Sequence, residues 1–122
     1  MAAALARLGQ GIGAETITFD RLENGRFADL DLRPQDAIVV ATQGRGDKQA
    51  LEAALRSKAA YVGMIGSRKK IGAVLDKISD AVPTERKQAL HGPAGLDIGA
   101  IEPEEIALSI LGEIIQKRRR ST

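Results

Sequence analysis

Two short, nearly unbroken apolar runs, Asp36-Ala-Ile-Val-Val-Ala-Thr42 and Ala59-Ala-Tyr-Val-Gly-Met-Ile65, constrain this chain more than any other feature. Each is short for a helix, carries β-branched or aromatic residues, and gives way to glycine. A strand that is apolar at every position, rather than at alternate ones, is buried on both faces, as in a parallel sheet covered by helices. The segments after the runs supply such helices. Beyond Gln43-Gly-Arg-Gly46, Asp47 is placed to cap a helix whose Leu51, Ala54 and Leu55 share one face while Lys48, Glu52 and Arg56 lie elsewhere. Beyond Gly66, Ser67 opens a helix in which Ile71, Val74, Leu75 and Ile78 recur at i, i+3, i+4 and i+7.

The rest of the chain fits around that pair. Residues 2–8 are strong helix formers, and the helix is expected to stop at Gly9. Glu15-Thr-Ile-Thr-Phe-Asp20 alternates Ile17 and Phe19 with threonines, the period of a short strand. Residues 21–35 lack periodicity and read as a loop, Thr84 to Leu90 is weakly helical, and 91–100 is a loop holding three glycines and a proline. Pro103 then stands early in a terminal helix whose apolar stripe is Ile106, Ala107, Ile110, Leu111, Ile114 and Ile115. The expected architecture is an α/β layered domain with a mainly parallel sheet, residues 1–122 forming one domain. At 122 residues there is no room for two cores of ordinary size.

Composition removes several function classes. The chain has no cysteine, so disulfide scaffolds, thiolate zinc sites, iron–sulfur clusters and cysteine nucleophiles are excluded, and its single histidine excludes polyhistidine metal sites. Eighteen Lys and Arg against 16 Asp and Glu leave a net charge of +2, and Phe19, Phe27 and Tyr61 are the sole aromatic residues. Neither a basic face nor a base-stacking platform is evident, so no nucleic-acid partner is expected. No apolar run approaches the roughly 20 residues of a bilayer span, and the start lacks the pattern of a signal peptide; a cytoplasmic location without membrane contact is the expectation.

Ligands in parallel sheets sit beyond the carboxyl ends of the strands, where Asp20, the Gln43-to-Asp47 loop and the Gly63-to-Arg68 turn fall. Gly63-Met-Ile-Gly66-Ser-Arg-Lys-Lys70 has the order strand, glycine turn, helix start. Three cations in the first helical turn face the positive end of the macrodipole, a conflict of roughly 0.3 to 1 kcal/mol each that an anion would relieve. Backbone amides, the Ser67 hydroxyl and Arg68 together suit a phosphate; the bland alternative is that the cations point into water. Asp20 reads as a ribose partner or a plain turn residue. His91 and Asp97 flank the Gly-Pro loop and read as a hydrogen-bonding pair or as structural residues. Gly9-Gln-Gly11-Ile-Gly13 closes a helix and precedes a strand, the reverse of a dinucleotide fingerprint, so a helix cap accounts for it. Lys117-Arg-Arg-Arg120 ends the last helix, where cations suit the dipole.

Three stretches in order, Tyr61-Val-Gly-Met-Ile-Gly-Ser-Arg-Lys69, His91-Gly-Pro-Ala-Gly-Leu-Asp-Ile-Gly-Ala100, and Pro103-Glu-Glu-Ile-Ala-Leu-Ser-Ile-Leu111 with Glu113-Ile-Ile115, resemble the carboxyl-terminal Rossmann-type domain of the XdhC/CoxI family, the xanthine dehydrogenase accessory proteins. Thr42-Gln-Gly44 with Asp47 resembles that family's Thr-His-Gly and Asp, with Gln43 in place of the histidine. The resemblance implies a Rossmann-like three-layer domain that lacks the first strand and Gly-rich turn. It further implies a non-enzymatic maturation factor that binds molybdenum cofactor and delivers it to a molybdenum hydroxylase apo-enzyme of the xanthine or carbon monoxide dehydrogenase type. Residues expected at that cofactor are Asp20, Gly44, Asp47, Gly63, Gly66, Ser67, Arg68, His91, Gly95 and Asp97. The incomplete sheet leads to the expectation of a homo-oligomer through the region of the missing strand. Two alternatives stand beside this reading, an NAD(P)-binding oxidoreductase-like fragment and a structural oligomerisation module.

Overall fold

A computed structural model of the protein describes residues 2–11, 36–41 and 47–120. Its elements are α1 (Ala2–Gly11), β1 (Ala37–Val40), α2 (Asp47–Arg56), β2 (Tyr61–Met64), α3 (Arg68–Asp76), α4 (Thr84–Gln88) and α5 (Pro103–Arg120). The strand expected over 15–20, with Asp20, and the loop residues 42–46, with Gly44, lie outside the described residues. No described helix is long and apolar enough to cross a membrane.

The chain divides into two compact units: α1 with the described residues after Pro93, and the described residues from Asp36 to Pro93. In the second unit, β1 and β2 pair in parallel with Ala37 opposite Tyr61 and Val40 opposite Met64. The two strands are joined through α2, which packs on both. This is the βαβ arrangement that two apolar runs separated by an amphipathic helix demand. Val40, Leu51, Ala54, Leu55, Val62, Met64, Ile71, Ile78 and Val82 form the core cluster. β2 is buried along its whole length, whereas in β1 only Val40 is fully buried. The two-faced burial expected of both strands therefore holds for β2; among the described residues β1 pairs with β2 alone.

In the other unit, α1 packs on α5. Ala4 is buried on α1, and Ala107, Ile110 and Ile114 are buried on α5. Two helix limits and one buried stripe differ from expectation. α1 runs through Gly9 to Gly11; Gly9 is buried, and tertiary packing there outweighs the roughly 1 kcal/mol that glycine costs inside a helix. α3 ends at Asp76, with Lys77 as its cap, so Ile78 reaches the core from beyond the helix. In α5 the stripe is narrower than the periodicity indicates, because Ile115 is 41% exposed.

α5 begins with Pro103 at its first position, where the missing N–H has no intrahelical partner to lose. Three residues after Glu102, the Glu105 carboxylate accepts hydrogen bonds from the amides of Glu102 at 2.9 Å and Ile101 at 3.0 Å. Those amides, Glu102 first, hold the Glu105 carboxyl below the usual range.

Candidate functional site

The candidate site grows out of the carboxyl end of β2. Met64 is followed by Ile65, whose amide still donates to the Val40 carbonyl at 2.9 Å, so the chain stays bound to the sheet until it turns. At the turn Gly66 takes φ +154°, a backbone region that side chains disfavour, which is why glycine stands between the strand and the helix. Ser67 follows as the N-cap of α3: its hydroxyl oxygen accepts from the Lys70 amide at 3.1 Å. That bond uses one acceptor site and leaves the hydroxyl proton to donate.

Arg68 and Lys69 open α3, both exposed, and its first turn holds no acidic residue. Among the described residues Arg68 has no ion-pair or hydrogen-bond partner. The first amides of a helix lack intrahelical acceptors, so this corner combines free backbone donors, a hydroxyl and a guanidinium in a turn without acidic residues. Chemically it is suited to receive an anionic oxygen cluster such as a phosphate.

His91 lies on the other side of β2 from β1. Its amide donates to the Val62 carbonyl at 2.9 Å, its carbonyl accepts from the Met64 amide at 3.0 Å, and it forms a parallel bridge with Gly63. Its imidazole stacks on the Tyr61 ring, with centroids 4.6 Å apart and planes 16° from parallel. His91 thus extends the sheet by one position and is tied to the strand that leads to Gly66.

Gly63, Gly66, Ser67, Arg68 and His91 therefore share one unit and one strand-turn-helix corner. Gly95 and Asp97 belong to the other unit. There Gly95 has a local reason to be glycine. A Cβ on it would stand 2.4 Å from the Ser109 hydroxyl oxygen, its φ is +112°, and its amide donates to the half-buried Glu113 carboxylate at 2.9 Å. Asp97 is exposed. Asp47 is the first residue of α2, and its side chain, like Asp20 and Gly44, lies outside the described residues. Among the described residues no three His, Cys, Asp or Glu side chains gather as a metal site.

One important residue escapes sequence reasoning. Half-buried Arg86, in α4, donates from Nε to the Leu55 carbonyl at 2.8 Å and from an Nη to the carbonyls of Ser57 at 3.0 Å and Ala59 at 2.9 Å. It ties the end of α2 to the segment that enters β2, and so helps to position the corner at Gly66.

Comparison with known proteins agrees with this architecture. A family model described as the XdhC Rossmann domain matches residues 1–114. The chain is 36% identical over 93 residues to the uncharacterized protein YqeB of Escherichia coli (strain K12), a match that covers 75% of this chain and 17% of that protein. It is 38% identical over 95 residues to a probable xanthine dehydrogenase subunit of Bacillus subtilis (strain 168), covering 77% of this chain and 27% of that one. The crystal structure of a xanthine dehydrogenase from Bacillus halodurans aligns with 98% of this chain and 40% of its own, with a TM-score of 0.76 at 24% identity, a likeness of fold. The chain spans well under half the length of each of these relatives.

Proposed function

This chain belongs to the XdhC Rossmann-domain family, and on that premise we propose that it binds molybdenum cofactor and hands it to a molybdenum hydroxylase apo-enzyme. The observation that carries the reading is the corner after β2, where Gly66, the Ser67 cap and exposed Arg68 stand at helix-terminal amides in a first turn that holds no acidic residue. The cofactor is a pterin bearing a phosphate, sometimes extended by a nucleotide, so its anionic end matches the donor set of this corner.

In this reading the amides at the start of α3 and the Arg68 guanidinium hold the phosphate, and the Ser67 hydroxyl donates a further hydrogen bond while it caps the helix. Gly63 and His91, paired on the strand that leads to this corner, are proposed contacts as well. Asp20, Gly44 and Asp47, and Gly95 and Asp97 in the other unit, are the remaining proposed contacts, to be tested singly. The molybdenum is cargo, carried by the pterin and not by protein side chains. The receiving hydroxylase, homo-oligomeric assembly and a cytoplasmic site of action belong to the same proposal.

Titration of the wild type and of Arg68→Ala with molybdopterin, followed by calorimetry, tests it. Loss of about one charge-assisted contact should weaken binding roughly tenfold. Equal affinities would remove the phosphate role of the corner. Thermal protection by NADPH without protection by the pterin would instead favour the dinucleotide alternative.

A further inference from the structure

The parts of the corner after β2 meet on one side chain, that of Ile71. It closes the first turn of α3, where its amide donates to the Ser67 carbonyl at 3.0 Å, and it is buried. Its Cγ1 lies 3.7 Å from the point that a Cβ on Gly66 would occupy, beside the turn that leaves β2. Its other branch faces Gly92. A Cβ placed on Gly92 would stand 2.8 Å from Ile71 Cγ2 and 3.3 Å from Cδ1. Non-bonded carbon atoms rest about 3.5 to 4.0 Å apart, so one of the two segments would have to move. Among the described residues positive φ belongs to Gly66, Gly95 and Gly99 and not to Gly92. Nearness to Ile71, rather than a backbone angle, therefore asks for glycine at this position.

Such a conflict has no easy relief. Ile71 is branched at Cβ, stiff about χ1, and part of the core cluster with Val62, Met64 and Val82, so its side chain has little freedom to turn away. On the other side, His91 is pinned to β2 through its amide and its carbonyl, and residue 92 cannot lift freely. Displacing Ile71 shifts the first turn of α3, and displacing residue 92 pulls on the sheet position beside Gly63. Both routes end at the corner. We propose that Gly92 is a positioning residue for anion binding at the start of α3, acting through Ile71 to hold the first-turn amides, Ser67 and Arg68 against the end of β2. The inference rests on the cofactor reading for what the corner binds, and goes beyond it by naming the contact through which the segment after His91 controls that binding.

The first readout needs no ligand. In NMR spectra of the whole chain, Gly92→Ala should shift the backbone amide resonances of Arg68 to Ile71 while those of α4 stay in place. Calorimetric titration with molybdopterin, at a temperature where both proteins are fully folded, should then show affinity about tenfold lower for Gly92→Ala. A residue that merely stabilised the fold would leave the affinity of the folded chain unchanged. Ile71→Leu removes the Cγ2 branch at nearly constant volume. In that background Gly92→Ala should weaken binding less than about threefold, and the difference measures the coupling between the two residues. If Gly92→Ala alone does not fold, the double variant must. Unshifted amides, an unchanged affinity, the same loss in both backgrounds, or a double variant that also fails to fold would overturn the proposal. If the wild type itself takes up no molybdopterin, the cofactor reading falls, and the amide shifts alone decide whether Gly92 sets the corner.

Discussion

The Arg86 guanidinium donates to the Leu55 carbonyl at 2.8 Å, and from that anchor its second nitrogen reaches two further carbonyls before β2. The Ser57 hydroxyl completes the junction by donating to the Ala54 carbonyl at 2.7 Å. A planar fork can satisfy several acceptors at once in a way that an ammonium cannot. Arg86→Ala should therefore cost about 2 to 4 kcal/mol, the loss of charged hydrogen bonds to partly buried carbonyls. Arg86→Lys should recover less than half of that. Urea denaturation of the three proteins checks both statements, and an Arg86→Lys variant as stable as the wild type would show that charge alone matters there.

Gly95 and Ser109 meet more closely than any side chain on residue 95 would permit. Gly95→Ala sets a Cβ 2.4 Å from the Ser109 Oγ and demands φ +112° of a residue with a side chain. Steric conflict and backbone strain together should cost more than about 2 kcal/mol. Adding Ser109→Ala removes the nearest atom but leaves Cβ at 3.3 Å and the backbone strain untouched. The double variant should thus recover part of the loss, read as a coupling energy in a double-mutant cycle. Full recovery would mean that the left-handed backbone costs nothing.

The parts of this fold that can be read in advance are those set by near neighbours in the chain. β1, β2 and α5 follow from apolar runs and helical spacing, and the Ser67 cap follows from a hydroxyl three residues before the amide it accepts from. Arg86 is illegible because its acceptors lie 27 to 31 residues away and are backbone atoms, which carry no residue identity. The backbone pairing of His91 with Gly63 is non-local for the same reason. Spacing places Ile115 in the buried stripe because it adjoins Ile114; which edge of a stripe is covered depends on the width of the neighbouring element, and spacing does not encode that. Gly95 is legible as a shaped backbone position, but its closeness to Ser109 is not.

Glu105 makes the start of α5 sensitive to acid. Two amides favour its charged form, so the folded carboxyl titrates below the unfolded one. The folded state then binds fewer protons, and this contribution is complete above the titration range of the unfolded glutamate and is lost as pH falls through the depressed folded value. Glu105→Gln keeps the shape and removes the titration. Stability measured by denaturation from neutral to acidic pH should fall less steeply for this variant than for the wild type. Parallel curves would leave the carboxylate without a role in the pH response.

Ser67 separates the structural from the binding role of the corner. Its Oγ caps α3, and loss of the cap in Ser67→Ala should cost about 1 kcal/mol of stability. Ser67→Asp retains a side-chain acceptor for the Lys70 amide and places a negative charge where the macrodipole and Arg68, Lys69 and Lys70 favour it, so stability should match or exceed that of the wild type. The same carboxylate would occupy the position assigned to phosphate and repel it. Chemical denaturation together with molybdopterin titration should therefore show opposite responses in this variant, with folding preserved and affinity reduced by at least about tenfold. If Ser67→Asp binds the pterin as tightly as the wild type, the anion is held elsewhere and the start of α3 serves only to cap its own helix.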